Sequence, residues 1–298
     1  MRIPADILKA AERQLDADCG IGGKESAAVT AENRTAAAKS RVVTAENRTV
    51  FCRAPRFPER AYMTDAALGE LAREMLEKET GIQPRMYEGI DPFFRGIIFM
   101  GKVKILAAWE IFDWCVKEYG SLKNPEWLCQ FPSLSRLDAK LRQYGRKIED
   151  VRLNFLPGKF STVSADARPP FEVRFLEAGE LAGRRDLAAF RHAVCRSDLT
   201  PDVLAAAAIM EGRIVGMAGA SEDSDTLWQI GVDVEAGQRG RGAAALLVRI
   251  LKDEILKRGK IPFYATSQSH IISMNTAISA GFLPGWTEIY VSAEKRRI

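Results

Sequence analysis

Residues 227–251 read Leu-Trp-Gln-Ile-Gly-Val-Asp-Val-Glu-Ala-Gly-Gln-Arg-Gly-Arg-Gly-Ala-Ala-Ala-Leu-Leu-Val-Arg-Ile-Leu, and they constrain the chain more than any other stretch. From Leu227 to Val234 bulky residues alternate with small or polar ones, which predicts a strand. From Ala243 to Lys257, Leu246, Leu247, Ile250, Leu251, Ile255 and Leu256 recur near helical spacing. Between the two lies Gly237-Gln238-Arg239-Gly240-Arg241-Gly242, a polar turn that opens straight into the helix. The first turn of a helix carries N–H groups without intrahelical partners, and the helix dipole adds partial positive charge. A glycine-rich turn feeding such a terminus is therefore an anion site. Gly240 and Gly242 let a phosphate approach the backbone without a Cβ in the way, and Arg239 and Arg241 add fixed positive charge. The alternative is an ordinary strand–turn–helix connection with two solvated arginines.

The wording of the turn narrows the choice. It is not a P-loop, because no Gly-x4-Gly-Lys-Ser/Thr occurs, and Gly240-Arg241-Gly242 lacks the third glycine of a dinucleotide fingerprint. It resembles motif A of the GNAT acyltransferase superfamily, Arg/Gln-x-x-Gly-x-Gly/Ala after a strand ending in Val: Arg239, Gly242 and Ala244 fill the three positions and Val234 ends the strand. A later stretch, Ser269-His270-Ile271-Ile272-Ser273-Met274-Asn275-Thr276-Ala277-Ile278-Ser279-Ala280-Gly281-Phe282, is similar to the family's Asn-x-x-Ser-x-x-x-Ala-x-x-x-Gly-Phe. Ser273, Ala277, Gly281 and Phe282 match; His270 stands where Asn is usual.

The chain has 298 residues, enough for two ordinary domains. A hydrophobic share of 47% with 28% charged residues describes a globular protein rather than a disordered one. A net charge of +4 suits an anionic cofactor but is no nucleic-acid footprint, and no aromatic-interleaved basic run accompanies Arg239, Arg241 or Lys295-Arg296-Arg297. No nucleic-acid partner is expected. No apolar run reaches membrane-spanning length, since Lys102 and Lys104 interrupt residues 96–114, and Asp6, Lys9, Glu12 and Arg13 break any amino-terminal hydrophobic region. Cys19, Cys52, Cys115, Cys129 and Cys195 are scattered and odd in number, with no Cys-x-x-Cys and only two histidines. Neither a disulfide framework nor a metal site is expected, and a reducing cytoplasm is the expected location.

Val29-Thr-Ala-Glu-Asn-Arg-Thr35 recurs as Val43-Thr-Ala-Glu-Asn-Arg-Thr49; two copies make no solenoid, and a local duplication in a tolerant surface segment is the simpler origin. Residues 62–150 read as mainly helical. Thr64 or Asp65 caps a helix that ends at Gly81; residues 102–119 read as one amphipathic helix; Ser133 or Ser135 starts another, ending at Gly145. Proline-rich punctuation at 156–158 and 167–170 sets the domain boundary, giving a mainly helical domain over 1–165 and a second domain over 166–298. From Pro170 the pattern is α/β: a strand over 171–176, a helix over 180–194, a hairpin around Glu211-Gly212-Arg213, the strand–turn–helix, a strand over 262–266, a helix over 271–280 and closing strands over 283–292. That order is the GNAT order, so the resemblance implies a GNAT-like mixed sheet flanked by helices over about 171–292.

The resemblance also implies chemistry. In that family the turn wraps the pyrophosphate of coenzyme A and the preceding strand bonds the pantetheine arm. It thus points to acetyl-CoA at Val232, Val234, Arg239, Gly240, Arg241, Gly242, Ala243, Ala244, His270 and Ser273. The implied reaction is direct attack of an amine on the thioester, the amine belonging to a small molecule or a peptide. Asp233, just before the turn, is the best-placed base, and is equally suited to bonding a loop. Where the family often supplies a Tyr as acid, this chain has Ala277, which leaves Ser273 or water. Three roles are open to His270: a pantetheine contact, an acid or base, or an exposed helix start. A module that binds CoA or a protein partner without turnover is the alternative function. The N-terminal domain is expected to shape the acceptor site or an oligomer contact, such as a homodimer.

Overall fold

The structure, a computed structural model, describes residues 2–22, 41–44, 49–57, 63–87, 90–159 and 171–293. The first copy of the duplicated segment, the Ala167–Pro170 punctuation and the basic 295–297 tail lie outside these residues. By internal packing the chain divides into two compact units: Glu12–Arg152 with Trp286–Ile298, and Met1–Ala11 with Leu153–Gly285.

Helix α1 (Ala5–Asp18) is followed by β1 (Arg41–Val43) and β2 (Thr49–Arg53), which pair antiparallel. Helix α2 (Asp65–Thr80) starts where the Thr64 side chain accepts the Ala67 N–H and stops at Gly81, whose φ of 71° ends the spiral. Strands β3 (Phe94–Phe99) and β4 (Lys102–Ala107) form a hairpin through Met100 and Gly101, both with positive φ. Residues 102–107 are therefore not the front of a helix; only α3 (Trp109–Tyr119) is helical. Strand β4 pairs with β3 on one side and β2 on the other, and Val103–Ala107 are buried. A strand buried on both faces reads as a continuous apolar run, which periodicity alone does not separate from a buried helix. Helix α4 (Phe131–Arg142) begins ahead of Ser133, with Pro132 in its first turn. Strand β5 (Arg146–Pro157) follows.

The first unit carries an ionic quartet in its interior. Arg85, Asp18 and Glu288 have side chains 0%, 0% and 1% exposed. Arg85 donates Nε–H to Asp18 at 2.6 Å and its terminal N–H to Glu288 at 3.0 Å. Arg95 stands 3.3 Å from the other Glu288 oxygen, and the Trp286 indole N–H also donates to Glu288. Burial alone would push the Glu288 carboxyl up, but Arg85, Arg95 and Trp286 hold it below its ordinary value.

The second unit runs β6 (Glu172–Glu177), α5 (Ala178–Leu181), β7 (Asp202–Met210), β8 (Arg213–Glu222), β9 (Leu227–Val234), α6 (Ala243–Lys257), β10 (Ile261–Ser267), α7 (Ile271–Ser279) and β11 (Phe282–Ala293), whose residues from Trp286 onward belong to the first unit. Its sheet order is β5-β10-β9-β8-β7-β6, with β9 and β10 parallel and β6 to β9 antiparallel. The β7–β8 turn has positive φ at both Glu211 and Gly212, matching the right-handed twist of its strands. Leu204, Ala206 and Ala208 pack into the core that α6 covers with Leu246, Leu247, Leu251 and Ile255; Ala205 and Ala207 pack into a second cluster with Leu187, Phe190 and Val194. The sheet is thus covered on both faces.

The helix expected over 180–194 is not formed. One turn, α5, ends before Gly183 at φ 72°, a 3₁₀ turn covers Arg185–Ala189, and the chain then runs irregularly across the sheet. Among the described residues no helix is long and apolar enough to cross a membrane.

Candidate functional site

The turn between β9 and α6 is built as the sequence implies, with one change of reason for its glycines. Gly240 and Gly242 have φ of 76° and 78°, a left-handed conformation that costs an L-residue roughly 1–2 kcal/mol. A Cβ at either would meet no atom within 4 Å, so it is backbone conformation, and not crowding within the protein, that requires glycine. Gly242 caps α6 and accepts the Leu246 N–H through its carbonyl, while no side chain caps the helix. The first-turn N–H groups of α6 are therefore not competed for by a capping side chain, which fits a phosphate. Arg241 is exposed. Arg239 is tied down, donating its Nε–H to the Val234 carbonyl at 2.9 Å. Ala243 and Leu246 face the core, which fixes the rotation of α6.

Strands β9 and β10 pair from Leu227↔Ile261 to Ile230↔Tyr264, and both continue beyond, to Val234 and Ser267. On its other side β9 stays paired with β8 as far as Val234↔Gly216. The β10-facing edge of Gly231–Val234, which includes Val232 and Val234, is thereby left open beside the turn. Backbone groups on such an edge are obligatory donors and acceptors that seek partners.

A second glycine pair shapes the opposite wall. Gly219 on β8 and Gly231 on β9 lie directly opposite in the register. A Cβ on Gly231 would sit 1.6 Å from the His192 carbonyl oxygen, and one on Gly219 would sit 1.7 Å from that of Ala193. The two glycines thus form a trough in which the 192–193 backbone rests. Asp233 fastens it: one carboxylate oxygen accepts the backbone N–H of His192 at 2.7 Å and of Ala193 at 3.0 Å, and the other lies 2.7 Å from His192 Nδ1. The His192 side chain is 81% exposed and that of Asp233 20%. Asp202 holds the next residues by accepting the backbone N–H of Cys195 and Arg196.

Past the open edge, the Tyr264 hydroxyl and Ser273 Oγ are hydrogen-bonded at 2.9 Å, joining β10 to α7. Burial pushes the Tyr264 phenol up, against the opposing effect of the Ser273 bond, so it stays protonated at neutral pH. His270 is exposed at the start of α7, its side chain making no capping bond. Cys195 is not an activated nucleophile: burial and the carboxylates Asp202, Asp223 and Asp233 push its thiol up to about 11.

The structure therefore gathers the turn, the β9 edge, Asp233, His270 and Ser273 in one unit, and adds His192 and Tyr264, which no motif marks. His192 is brought to the sheet by a trough whose two halves lie well downstream of it. Tyr264 reads in the sequence as one aromatic in a short strand, and only its pairing with Ser273 gives it a role.

Residues 165–282 match the profile described as "Acetyltransferase (GNAT) family". No curated protein matches the chain. Solved structures that match part of this chain include an acetyltransferase of the GNAT family from Novosphingobium aromaticivorans (20% identity, 50% of this chain and 68% of that one, TM-score 0.37). Another is a GNAT-family acetyltransferase from Colwellia psychrerythraea (13%, 50% and 57%, 0.36). A third is aminoglycoside N-acetyltransferase AAC(6')-Iy in complex with CoA (20%, 38% and 92%, 0.30). The part of this chain that holds the open strand edge and the glycine turn, residues 165–282, is an acetyltransferase domain of the GNAT family.

Proposed function

We propose that the protein is an acetyl-CoA-dependent N-acetyltransferase acting in the cytoplasm on the amine of a small molecule or peptide. The observation that carries this reading is the parting of β9 from β10 beside an uncapped helix N-terminus. Gly240, Gly242 and the first-turn N–H groups of α6 would hold the pyrophosphate, with Arg241 adding charge. The open edge of Val232–Val234 would bond the pantetheine arm, and Ser273 and His270 would line its far side. When bound, acetyl-CoA supplies an activated acetyl thioester whose leaving group is a thiolate.

The chain's own residues divide the remaining work. Backbone N–H groups on the β9 edge are fixed by pairing with β8 and can polarise a carbonyl without reorganising. Ser273, hydrogen-bonded to Tyr264, can pass a proton to a departing thiolate; the phenol that α7 lacks at Ala277 is supplied from β10. Asp233 stands near the edge as base or as support for one.

Calorimetry should detect binding of acetyl-CoA to the intact protein. Gly242→Val should weaken it at least tenfold, about 1.4 kcal/mol, with circular dichroism unchanged. An unaltered affinity in that variant would remove the pyrophosphate assignment. An amine panel assayed for thiol release tests the activity; retention of acetyl-CoA with no thiol released from any amine would instead favour a binding module.

His270 gives a separate check. If its imidazole bonds the pantetheine arm, His270→Asn should keep acetyl-CoA affinity while His270→Ala loses about 1 kcal/mol, the scale of one hydrogen bond. Equal, large losses of turnover in both variants with binding intact would assign it to proton transfer instead.

A further inference from the structure

We propose that His192 is the general base of this site and that Asp233, the carboxylate nearest the β9 edge, acts on it as a positioning residue. The inference rests on the acetyltransferase reading above and deepens it.

The two oxygens of Asp233 take the backbone N–H of His192 and Ala193 and face His192 Nδ1. With both oxygens engaged on this one segment, the carboxylate does three things for the imidazole. It anchors the backbone on both sides of the His192 Cα, it fixes the ring rotation through Nδ1, and it selects the tautomer with the proton on Nδ1. That tautomer leaves the Nε2 lone pair free, on a side chain that is 81% exposed.

Placement comes from the glycine trough. The His192 carbonyl lies against Gly231, the first β9 residue beyond the last β9–β10 pair, Ile230↔Tyr264. The imidazole is thus rooted where the strands part, beside the edge that would polarise the thioester carbonyl. Any side chain on Gly231 would displace it, so a residue type and a close approach, not a chance surface contact, hold the dyad there. The charged and titratable groups around this segment include Asp202, which accepts from Cys195 and Arg196, Asp223, which acts on the Cys195 thiol, Tyr264, which feels the Asp233 charge, and the exposed Arg191 and Arg196.

An acceptor amine arrives as ammonium and must lose a proton before its lone pair can attack. His192 Nε2 takes that proton and returns it to solvent. The nitrogen then forms a C–N bond to the acetyl carbon and gives its second proton to the regenerated His192 Nε2; the C–S bond breaks, and its electron pair leaves on sulfur, which takes a proton through the Ser273 hydroxyl, itself reprotonated from solvent by way of Tyr264.

Two measurements test the assignment. Nitrogen-15 NMR of the protein labelled at histidine should show two imidazoles, the one missing in His192→Gln being His192 and carrying its proton on Nδ1; a proton on Nε2 would overturn the proposal without any substrate present. In the second, His192→Gln and Asp233→Asn are assayed with acetyl-CoA and the best acceptor from a panel containing an aliphatic diamine, an arylalkylamine and a tripeptide with a free amino terminus. His192→Gln should lose at least 30-fold in kcat with acetyl-CoA affinity retained, and the loss should shrink as the pH is raised toward the acceptor's own pKa. Asp233→Asn should lose turnover with the same pH rescue. A His192→Gln variant equal to the parent at every pH, with Asp233→Asn inactive, would make Asp233 the base. A loss that pH does not rescue would reduce His192 to a structural contact. A parent that transfers acetyl to no amine would sink the acetyltransferase reading itself, a result separate from either of these.

Discussion

Replacing Arg85 with methionine should destabilise its unit by about 3–5 kcal/mol at pH 7, the usual cost of removing one partner from a buried ionic group. Asp18 and Glu288 would be left inside with only Arg95 to balance two negative charges. The methionine restores volume, so the loss measures charge rather than a cavity. In the parent the Glu288 carboxyl is held below its ordinary value. Its contribution is therefore present above the unfolded carboxyl pKa of roughly 4.3 and is lost as pH falls through the folded value. In the variant Glu288 lacks its main cation, burial raises its carboxyl, and protonation relieves the penalty. Urea unfolding at pH 7 and pH 4 should show a gap between parent and variant that narrows in acid. A gap of under 1 kcal/mol at pH 7 would mean that the quartet is an energetic bystander.

Gly231→Ala should be the most damaging single-methyl insertion in the acetyltransferase unit. The new Cβ would meet a main-chain oxygen at 1.6 Å, and neither side can yield by rotating a side chain. Overpacking of this kind costs about 3 kcal/mol, which for a unit of this size lowers the unfolding midpoint by roughly 6–12 °C. The variant should also detach the 192–193 backbone from Asp233, so the His192 Nδ1 proton should lose its hydrogen-bonded NMR signature. Gly237→Ala is the control, since nothing lies within 4 Å of that position; it should stay within about 0.5 kcal/mol of the parent. Equal thermal stability of Gly231→Ala and Gly237→Ala would show that the trough does not hold.

The parts of this molecule that were readable from residue order are those with local causes. The β9–turn–α6 passage is set by alternation, two glycines and helical spacing within one window. The limits of α2 follow from Thr64 and Gly81, and the β7–β8 hairpin from Gly212. What escaped has distant causes. Residues 102–107 look helical because their apolar positions run on into those of the helix after Trp109, and what makes them a strand is β2 and β3 on either side. Residues 182–194 carry helix-forming composition, yet Gly183 and the trough of Gly219 and Gly231 impose another path. Asp233 was legible as a residue near the turn, and its support of a loop was one of two roles open to it. His192 was not legible, because its partners sit at 219, 231 and 233.

The division of the chain at residues 11, 152 and 285 has a consequence for synthesis. As the polypeptide emerges, residues 12–152 appear first but lack Glu288, Ile289 and Val291, which fill their interior. The Arg85–Glu288 contact spans 203 positions. The earlier-made unit must therefore wait, with two buried arginines and one carboxylate unbalanced, until the whole acetyltransferase segment has left the ribosome. Loop closure over that distance is slow compared with local structure. Truncation between residues 285 and 288 would leave Leu153–Gly285 intact and still remove Glu288, Ile289 and Val291 from the interior of the other unit.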